Sequence, residues 1–564
     1  MTFASQEQPT SAIPLSLLSD PFLQLPTKNT VNVVWFTEFE GDRHWVEYGT
    51  QLEHHVTAKT TKLSRVREDR DSQLKKPVSE TTSRQIWRHE AIVEGLTPNQ
   101  RVPYRVKSVK ENQTIDSEVF TLASSPTQDQ SLKILLTSDH QLMPMTAANL
   151  SKVAETEKEI DAVFLSGDLV NIPDRASEWF DDSRGGAFFP ALQGKGHYEL
   201  ERGGIKTIYR GGEIIQHAPL FTALGNHEVM GQKSQPTLKQ EFNNPIPREV
   251  AIEAYSKIEN QVNPTKDVRV KEDWIENYSF NTDTYEEIFS LPTSNSGGKK
   301  YYATTFGDIR LISLYVTNIW RSPGLEAEDS GRYKESADNL DNPQTWGYGQ
   351  HIFEPIKQGS KQYQWLKREL NSEAYQQAKY KIVMLHHPPH TLGSNIVPPY
   401  TDPIPKPYYQ NGQLRSLYYD YPIEKDYIIR DLIPLLESAG VQLVHYGHSH
   451  LWNRFQSDSG MHFLESSNVG NSYGAHLGEN KRVTPTYSSQ NYAAVGNSNG
   501  LEPIIPNIQP LTDENGTPMP YVASNDITVF SILDTNGGRV SSFYYDTRKP
   551  NSEVVKFDEF TIGQ

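Results

Sequence analysis

Pro219-Leu220-Phe221-Thr222-Ala223-Leu224, followed at once by Gly225-Asn226-His227-Glu228, joins an apolar run of strand length to side chains that bind metal or exchange protons. Four further runs repeat the arrangement. Residues 132–137 precede Ser138-Asp139-His140-Gln141, and 162–166 precede Gly167-Asp168. Residues 381–385 precede His386-His387-Pro388-Pro389, and 441–446 precede Gly447-His448-Ser449-His450. Each run is rich in Val, Ile and Leu and has the length of a buried strand. The polar residues fall just past the carboxyl end, the edge at which α/β sheets bind ligands. One Asp-His or Gly-His pair is an ordinary turn, and one histidine is an ordinary surface or core residue. Five such clusters in order point to loops that converge on one site.

The residue types define its chemistry. Two metal ions about 3.5–4 Å apart need a shared carboxylate, with imidazole and oxygen donors that suit zinc, manganese or iron. Two such ions against two carboxylates leave a cationic pocket. It favours a phosphate oxyanion and acidifies a bound water to a nucleophile near neutral pH.

In their order, Asp139, Gly167-Asp168, Gly225-Asn226-His227-Glu228, His386 and Gly447-His448-Ser449-His450 resemble the calcineurin-like metallophosphoesterase superfamily. That resemblance implies a metal-dependent phosphoester hydrolase with two metal ions, iron, manganese or zinc, and a metal-bridging hydroxide as nucleophile, with no phosphoenzyme. Asp168 takes the place of the bridging carboxylate. Asp139 and His450, with Gln141, correspond to the first metal site, and Asn226, His386 and His448 to the second. His227 corresponds to the histidine that faces the substrate and stabilises or protonates the leaving oxygen. Glu228 is expected to orient it, and His387 to stand behind the second site or face the substrate.

Two departures matter. Where the superfamily has histidine two residues after the first aspartate, this chain has Gln141, an amide that is a poorer donor than imidazole. His140 lies one residue too early, and neighbours on an extended segment point to opposite sides. The second departure concerns the purple acid phosphatases, which the chain also resembles in domain order. Their tyrosine three residues after the bridging aspartate is here Asn171, so no purple ferric-tyrosinate centre is expected.

Ahead of the motifs, residues 29–125 read as short alternating strands between polar turns: 31–36, 45–48, 86–93, 104–109 and 118–122. That pattern predicts an all-β sandwich. Trp35, and Gly95-Leu96-Thr97-Pro98 followed by Tyr104, are similar to a fibronectin type III-like domain, with Tyr104 as its corner tyrosine. Residues 1–28 form an extension, 123–130 a linker rich in Ser, Gln and Pro, and 131–564 the catalytic domain. There strands alternate with helical patterns at 146–160, around Tyr363, Leu366 and Leu370, and at 427–438 before Gly440. Hairpins are predicted at Gly307-Asp308 and near Asn536-Gly537. The fold class is thus α/β, two packed mixed sheets flanked by helices behind an all-β domain. Long polar or aromatic stretches at 171–217, 229–298, 320–359, 390–424 and 468–520 are candidates for a substrate rim or for scaffold cover.

The chain of 564 residues suffices for two or three domains, and 54 basic against 70 acidic residues give a net charge of −16. That balance argues against a general nucleic-acid or acidic-membrane surface. The expected partner is a small phosphorylated substrate. Cysteine is absent, which excludes disulfides, zinc-thiolate sites and a cysteine nucleophile. No apolar run reaches membrane-spanning length, and residues 1–27 lack the pattern of a secretory signal. A cytoplasmic protein is expected, with export by another route open and oligomeric state undefined. A binding scaffold that keeps the fold without turnover is the competing class. His227, both carboxylates, Asn226 and three histidines favour the enzyme, and Gln141 alone favours the scaffold.

Overall fold

The computed structural model describes residues 15–233, 236–320, 334–343, 346, 350–352, 354–390, 400–401, 404–470, 502–503, 516, 518 and 520–563. In the strand Val102–Lys110, Tyr104, Val106 and Ser108 are buried while their neighbours are not, the period-two signature of a strand with one face on a core. They meet Val33, Trp35, Val46 and Ala91, and the Trp35 indole N–H donates to Ser108 Oγ at 3.0 Å. Four strands, in the order Phe22–Gln24, Val31–Thr37, Trp87–Val93 and Lys59–Lys62, make one sheet. Gln113–Asp116, Val102–Lys110, Arg43–Tyr48 and His54–Thr57 make the other, with Phe120–Leu122 also paired to Val102–Lys110. The expected sandwich is present with two adjustments. Phe22–Gln24, placed by its sequence in the extension, is an edge strand paired antiparallel to Val31–Thr37. Tyr104, expected at a corner, donates its hydroxyl to Gln216 O of the following domain at 2.7 Å.

The second domain packs two mixed sheets. The first runs Leu220–Thr222, Ala162–Leu165, Lys133–Thr137, Ile527–Asp534, Arg539–Asp546, Val555–Thr561. The second runs Tyr302–Phe306, Ile309–Ser313, Tyr380–Met384, Leu443–Tyr446, His462–Ser466, Trp452–Gln456 and Glu502–Pro503, with Tyr521–Val522 also on Trp452–Gln456. The strands that carry the motifs pair in parallel within each sheet. Ile134, Leu136 and Phe164 of the first sheet share a core with Leu311, Ile382 and Met384 of the second. The alternate residues Ile312, Val383 and Val444 pack outward against Leu366 and Leu436, which lie on the helices Lys361–Glu369 and Ile433–Ser438. Strands covered on both faces carry apolar residues throughout, hence the continuous runs in the sequence.

The domains are fastened by rings and by charge. Phe36 lies 5.0 Å from Phe180, and Phe22 5.0 Å from Phe189. On the short strand Arg67–Glu68, the Arg67 guanidinium donates to Asp174 Oδ2 at 2.8 Å and to Glu241 at 2.6 and 3.0 Å, all three side chains being buried. Arg175 returns the contact, donating to Asp69 at 3.0 Å.

Arg67→Ala leaves the buried Glu241 carboxylate without its ion-pair partner and Asp174 with Arg65 alone, 3.5 Å away. It is expected to lower the unfolding free energy by about 3–5 kcal/mol in a urea titration. A loss below about 1 kcal/mol, the range of an exposed pair, would show that water compensates the carboxylates.

Candidate metal centre

Past the carboxyl ends of Lys133–Thr137, Ala162–Leu165 and Leu220–Thr222 in one sheet, and of Tyr380–Met384 and Leu443–Tyr446 in the other, the five motif loops meet. Asp139, Asp168 and His450 form one group of three and His386, His387 and His448 another, the ligand atoms of each lying within 4.8 Å of one another. Asn226 Oδ1 stands 3.0 Å from His386 Nε2 and 2.9 Å from His448 Nδ1. His386 Nε2 is 3.2 Å from Asp168 Oδ1, and His450 Nε2 3.3 Å from Asp139 Oδ1.

The backbone at these residues is unusual. Asp139, Gln141, Asp168, His448 and His450 all have positive φ, at 55°, 36°, 55°, 79° and 55°. Side chains rarely adopt that conformation, and where they cluster the surrounding structure must enforce it. Tight approach explains the glycines between. A Cβ on Gly225 would strike the Asp168 carboxylate and backbone nitrogen, and one on Gly447 would strike Ser138 Oγ and Asp139 Oδ2.

The electrostatics call for a cation. Burial works against a charged Asp168, but His386 and then His227 outweigh it and hold the carboxyl below its usual range. Burial likewise disfavours a charged His386, yet Asp168 pushes the ring up to about 10. With its Nδ1 on Ser166 O at 2.9 Å and its Nε2 against two oxygens, His386 presents protons where the oxygens would otherwise face a metal ion. His448 is driven the other way, first by burial and then by His387 and His386, which leaves it the neutral donor a metal requires. Gln141 donates its amide to Asp168 Oδ2 at 3.0 Å, while its buried Oε1 has no hydrogen-bond partner among the described residues. Turning that amide end for end brings the orphaned oxygen to the Asp168 side as a ligand. Carboxylates, imidazoles and amide oxygens in this density fit two metal ions.

The residues singled out in the sequence sit as follows. Asp139, Gln141, Asp168, Asn226, His386, His448 and His450 come together. His140 turns away, its Nε2 3.0 Å from Thr137 Oγ1 and its ring beside Phe188. His227 donates its backbone N–H to Asp168 Oδ1 at 2.9 Å and holds its ring Nδ1 2.7 Å from Asn171 O. Asn171 donates its side-chain amide to Gln141 O at 2.7 Å. Glu228, expected beside the His227 ring, lies under the loops instead. Its carboxylate accepts from the backbone N–H of Asp168 at 2.8 Å and of Leu169 and Gly225 at 2.7 Å. Burial and the Asp168 charge push its carboxyl up to about 8, against three donors that favour the ionised form.

Beside the second group stand His387, expected behind that site or facing the substrate, and two residues without a sequence signal, Glu465 and His390. His387 belongs to the second group and stacks on His448 at 3.9 Å between ring centres. Glu465 accepts from Ser449 N at 2.8 Å, and His390 Nε2 lies 3.2 Å from its other oxygen.

Residues 132–451 match the calcineurin-like phosphoesterase family model, and residues 19–124 match the purple acid phosphatase N-terminal domain. The chain belongs to the calcineurin-like phosphoesterase family, a class of metal-dependent phosphoester hydrolases with a binuclear centre, here in the two-domain order of the purple acid phosphatases. Its fold is similar to that of purple acid phosphatase PPD1 isolated from yellow lupin (Lupinus luteus) seeds. That match has a TM-score of 0.53 and 14% identity, over 96% of this chain and 74% of that one. No curated protein sequence matches the chain. Among the described residues, no helix is long and apolar enough to cross a membrane.

Gly225→Ala forces the ends of two strands apart at Asp168. It is expected to weaken metal affinity roughly 10–100-fold, measured by competition with a chromophoric chelator. Unchanged affinity would show that the loops separate without disturbing the ligands.

Proposed function

We propose that the protein hydrolyses phosphoesters directly at a binuclear centre held by Asp139, Gln141, Asp168, Asn226, His386, His448 and His450, with Asp168 shared between the two ions. The observation that supports this reading best is the meeting of both ligand groups at Asp168, whose Oδ1 faces His386 and whose Oδ2 faces Gln141. Two bound metal ions supply charge stabilisation for the phosphoryl oxygens and an acidified water.

The remaining work falls to the chain. His227 stands beside Asp168, tethered by its own backbone N–H. The Asn171 carbonyl receives the Nδ1 proton and so fixes the ring, leaving Nε2 as the edge that stabilises or protonates the departing oxygen. Glu228 acts as a positioning residue for the Asp168 loop. Asn171, which donates to Gln141 O, offers no phenolate from its own position, and zinc, manganese or ferrous iron suits the donor set.

Elemental analysis of the purified protein, run beside hydrolysis of p-nitrophenyl phosphate and bis-p-nitrophenyl phosphate with added manganese, zinc or iron, tests the reading. Near two metals per chain with turnover of either ester is expected. One metal or none, without turnover under any supplement, would make Gln141 the mark of a disabled site and the protein a scaffold. His227→Ala is expected to lower turnover about 10²–10⁴-fold with metal content unchanged. Full retained activity would remove His227 from the leaving-group role.

A further inference from the structure

Resting on that hydrolase reading, we propose that the cavity beside His227 receives the leaving group, and that the β-sandwich domain selects there for a polyhydroxylated one, as in a sugar phosphate monoester. The cavity has a volume of ≈ 450 Å³, and its lining includes Asp71, Gln73, His227, Lys239, Phe242 and Asn243. That size is within the range of small-molecule sites. His227 and Asn171 join it to the metal ligands, so an ester whose phosphoryl group sits at Asp168 extends its alcohol past the His227 ring into this space.

Its chemistry narrows the occupant. Two arginines in the wall are already neutralised, Arg175 by Asp69 and Glu178 at 3.0 and 2.9 Å, and Arg184 by Asp182 at 2.8 Å. Among the described residues neither guanidinium of the lining is left free, and Lys239 is its unpaired cation. Asp71 and Lys239 carry no ion pair among the described residues, and with Gln73 and Asn243 they line the cavity with both donors and acceptors. A hydroxyl group donates and accepts at once, so a polyol satisfies such a lining where an alkyl chain leaves it unmatched. Phe242, whose ring centre is 5.1 Å from that of His227, adds one apolar face for the C–H side of a pyranose.

The wall contributed by the sandwich is held firmly. Asp71 donates its backbone N–H to Asp69 Oδ1 at 3.2 Å, Gln73 O accepts from Ser183 N at 2.9 Å, and Asp69 also accepts from Leu238 N at 2.8 Å. Leu238 begins the helix Leu238–Phe242, which brings Lys239 and Phe242 to the opposite wall. One carboxylate thereby spaces both sides of the cavity.

The test compares kcat/KM for glucose 6-phosphate with that for methyl phosphate, in the full-length metal-loaded protein and in Asp71→Asn and Gln73→Ala. Both esters release a primary alcohol, and only the sugar reaches the far wall. The expected result is a preference for glucose 6-phosphate in the unchanged protein and a fall in the ratio of about tenfold or more in each variant. An unchanged ratio, or no initial preference, overturns the proposal, while turnover of p-nitrophenyl phosphate in the same preparation keeps the hydrolase reading intact. If no ester is hydrolysed, the hydrolase reading fails, and calorimetric titration with glucose 6-phosphate then decides the cavity. Binding that is lost in Gln73→Ala supports it, and no binding to the unchanged protein overturns it.

Discussion

Glu228 carries the geometry of the crevice on one buried carboxylate. Parallel strands Ala162–Leu165 and Leu220–Thr222 lose their ladder partners where they run out into Gly167-Asp168 and Gly225-Asn226. Their last N–H groups need acceptors away from water. Glu228 takes three of them, on Asp168, Leu169 and Gly225, and so clamps both strand ends together. With the backbone fixed, Asp168 stays in its left-handed conformation, and its carboxylate becomes the point on which His386, the His227 backbone and Gln141 all converge. The second sheet repeats the device. Glu465 accepts from Ser449 N and Ser467 Oγ at 2.8 Å and from Asn453 Nδ2 at 2.5 Å, which anchors the loop of His448 and His450 from below.

Such clamps are needed because the site is a poor place for a protein without metal. Five candidate ligand residues sit at positive φ, each at a conformational cost of order 1 kcal/mol. Buried oxygens face one another across Asp168, Asn226 and Asp139. Protons on His386 relieve part of that, and a divalent ion relieves it far better because it accepts several oxygen and nitrogen donors at once. The fold therefore holds the candidate ligands in place, and the strain is offset by the packed sheets on which the loops stand.

Much of this was legible in the chain. The apolar runs were parallel strands, the motif residues past their ends met in one place, and the turns at Gly307-Asp308 and near Asn536-Gly537 were hairpins, because buried parallel strands and tight turns are local patterns. The stretch 229–298 read as polar loop, yet it holds the helices Leu238–Phe242, Arg248–Val262, Val268–Tyr278 and Asp283–Ile288. Their apolar faces are narrow: Arg248–Val262 buries only Ala251 and Tyr255, and Val268–Tyr278 only Ile275. Periodicity barely shows at that level. The caps Thr237 and Asp267 were the signal available. Segments such as 321–333, 391–399 and 471–500, read as a substrate rim or cover, lie outside the described residues. Glu228 was misplaced for a different reason, since its partners are backbone N–H groups, which no side-chain pattern reports.

The ionic join between domains escaped sequence reading for the same reason at longer range. Arg67 meets Asp174 and Glu241 across 107 and 174 residues, and in sequence each is one more surface charge. Folded, they lead into the site. Asp69 of the sandwich holds Arg175, Arg175 holds Glu178, and Glu178 accepts the N–H groups of Asn171 and Ile172 at 2.6 and 2.9 Å. Asn171 then carries the His227 ring on its carbonyl oxygen. Every link is buried or half-buried and charge-assisted up to Asn171, so each is stronger than a neutral bond in water. The sandwich domain thereby fixes the His227 ring, which stands between the candidate metal ligands and the cavity beside them, and a catalytic domain without it would lose the far end of that chain of contacts.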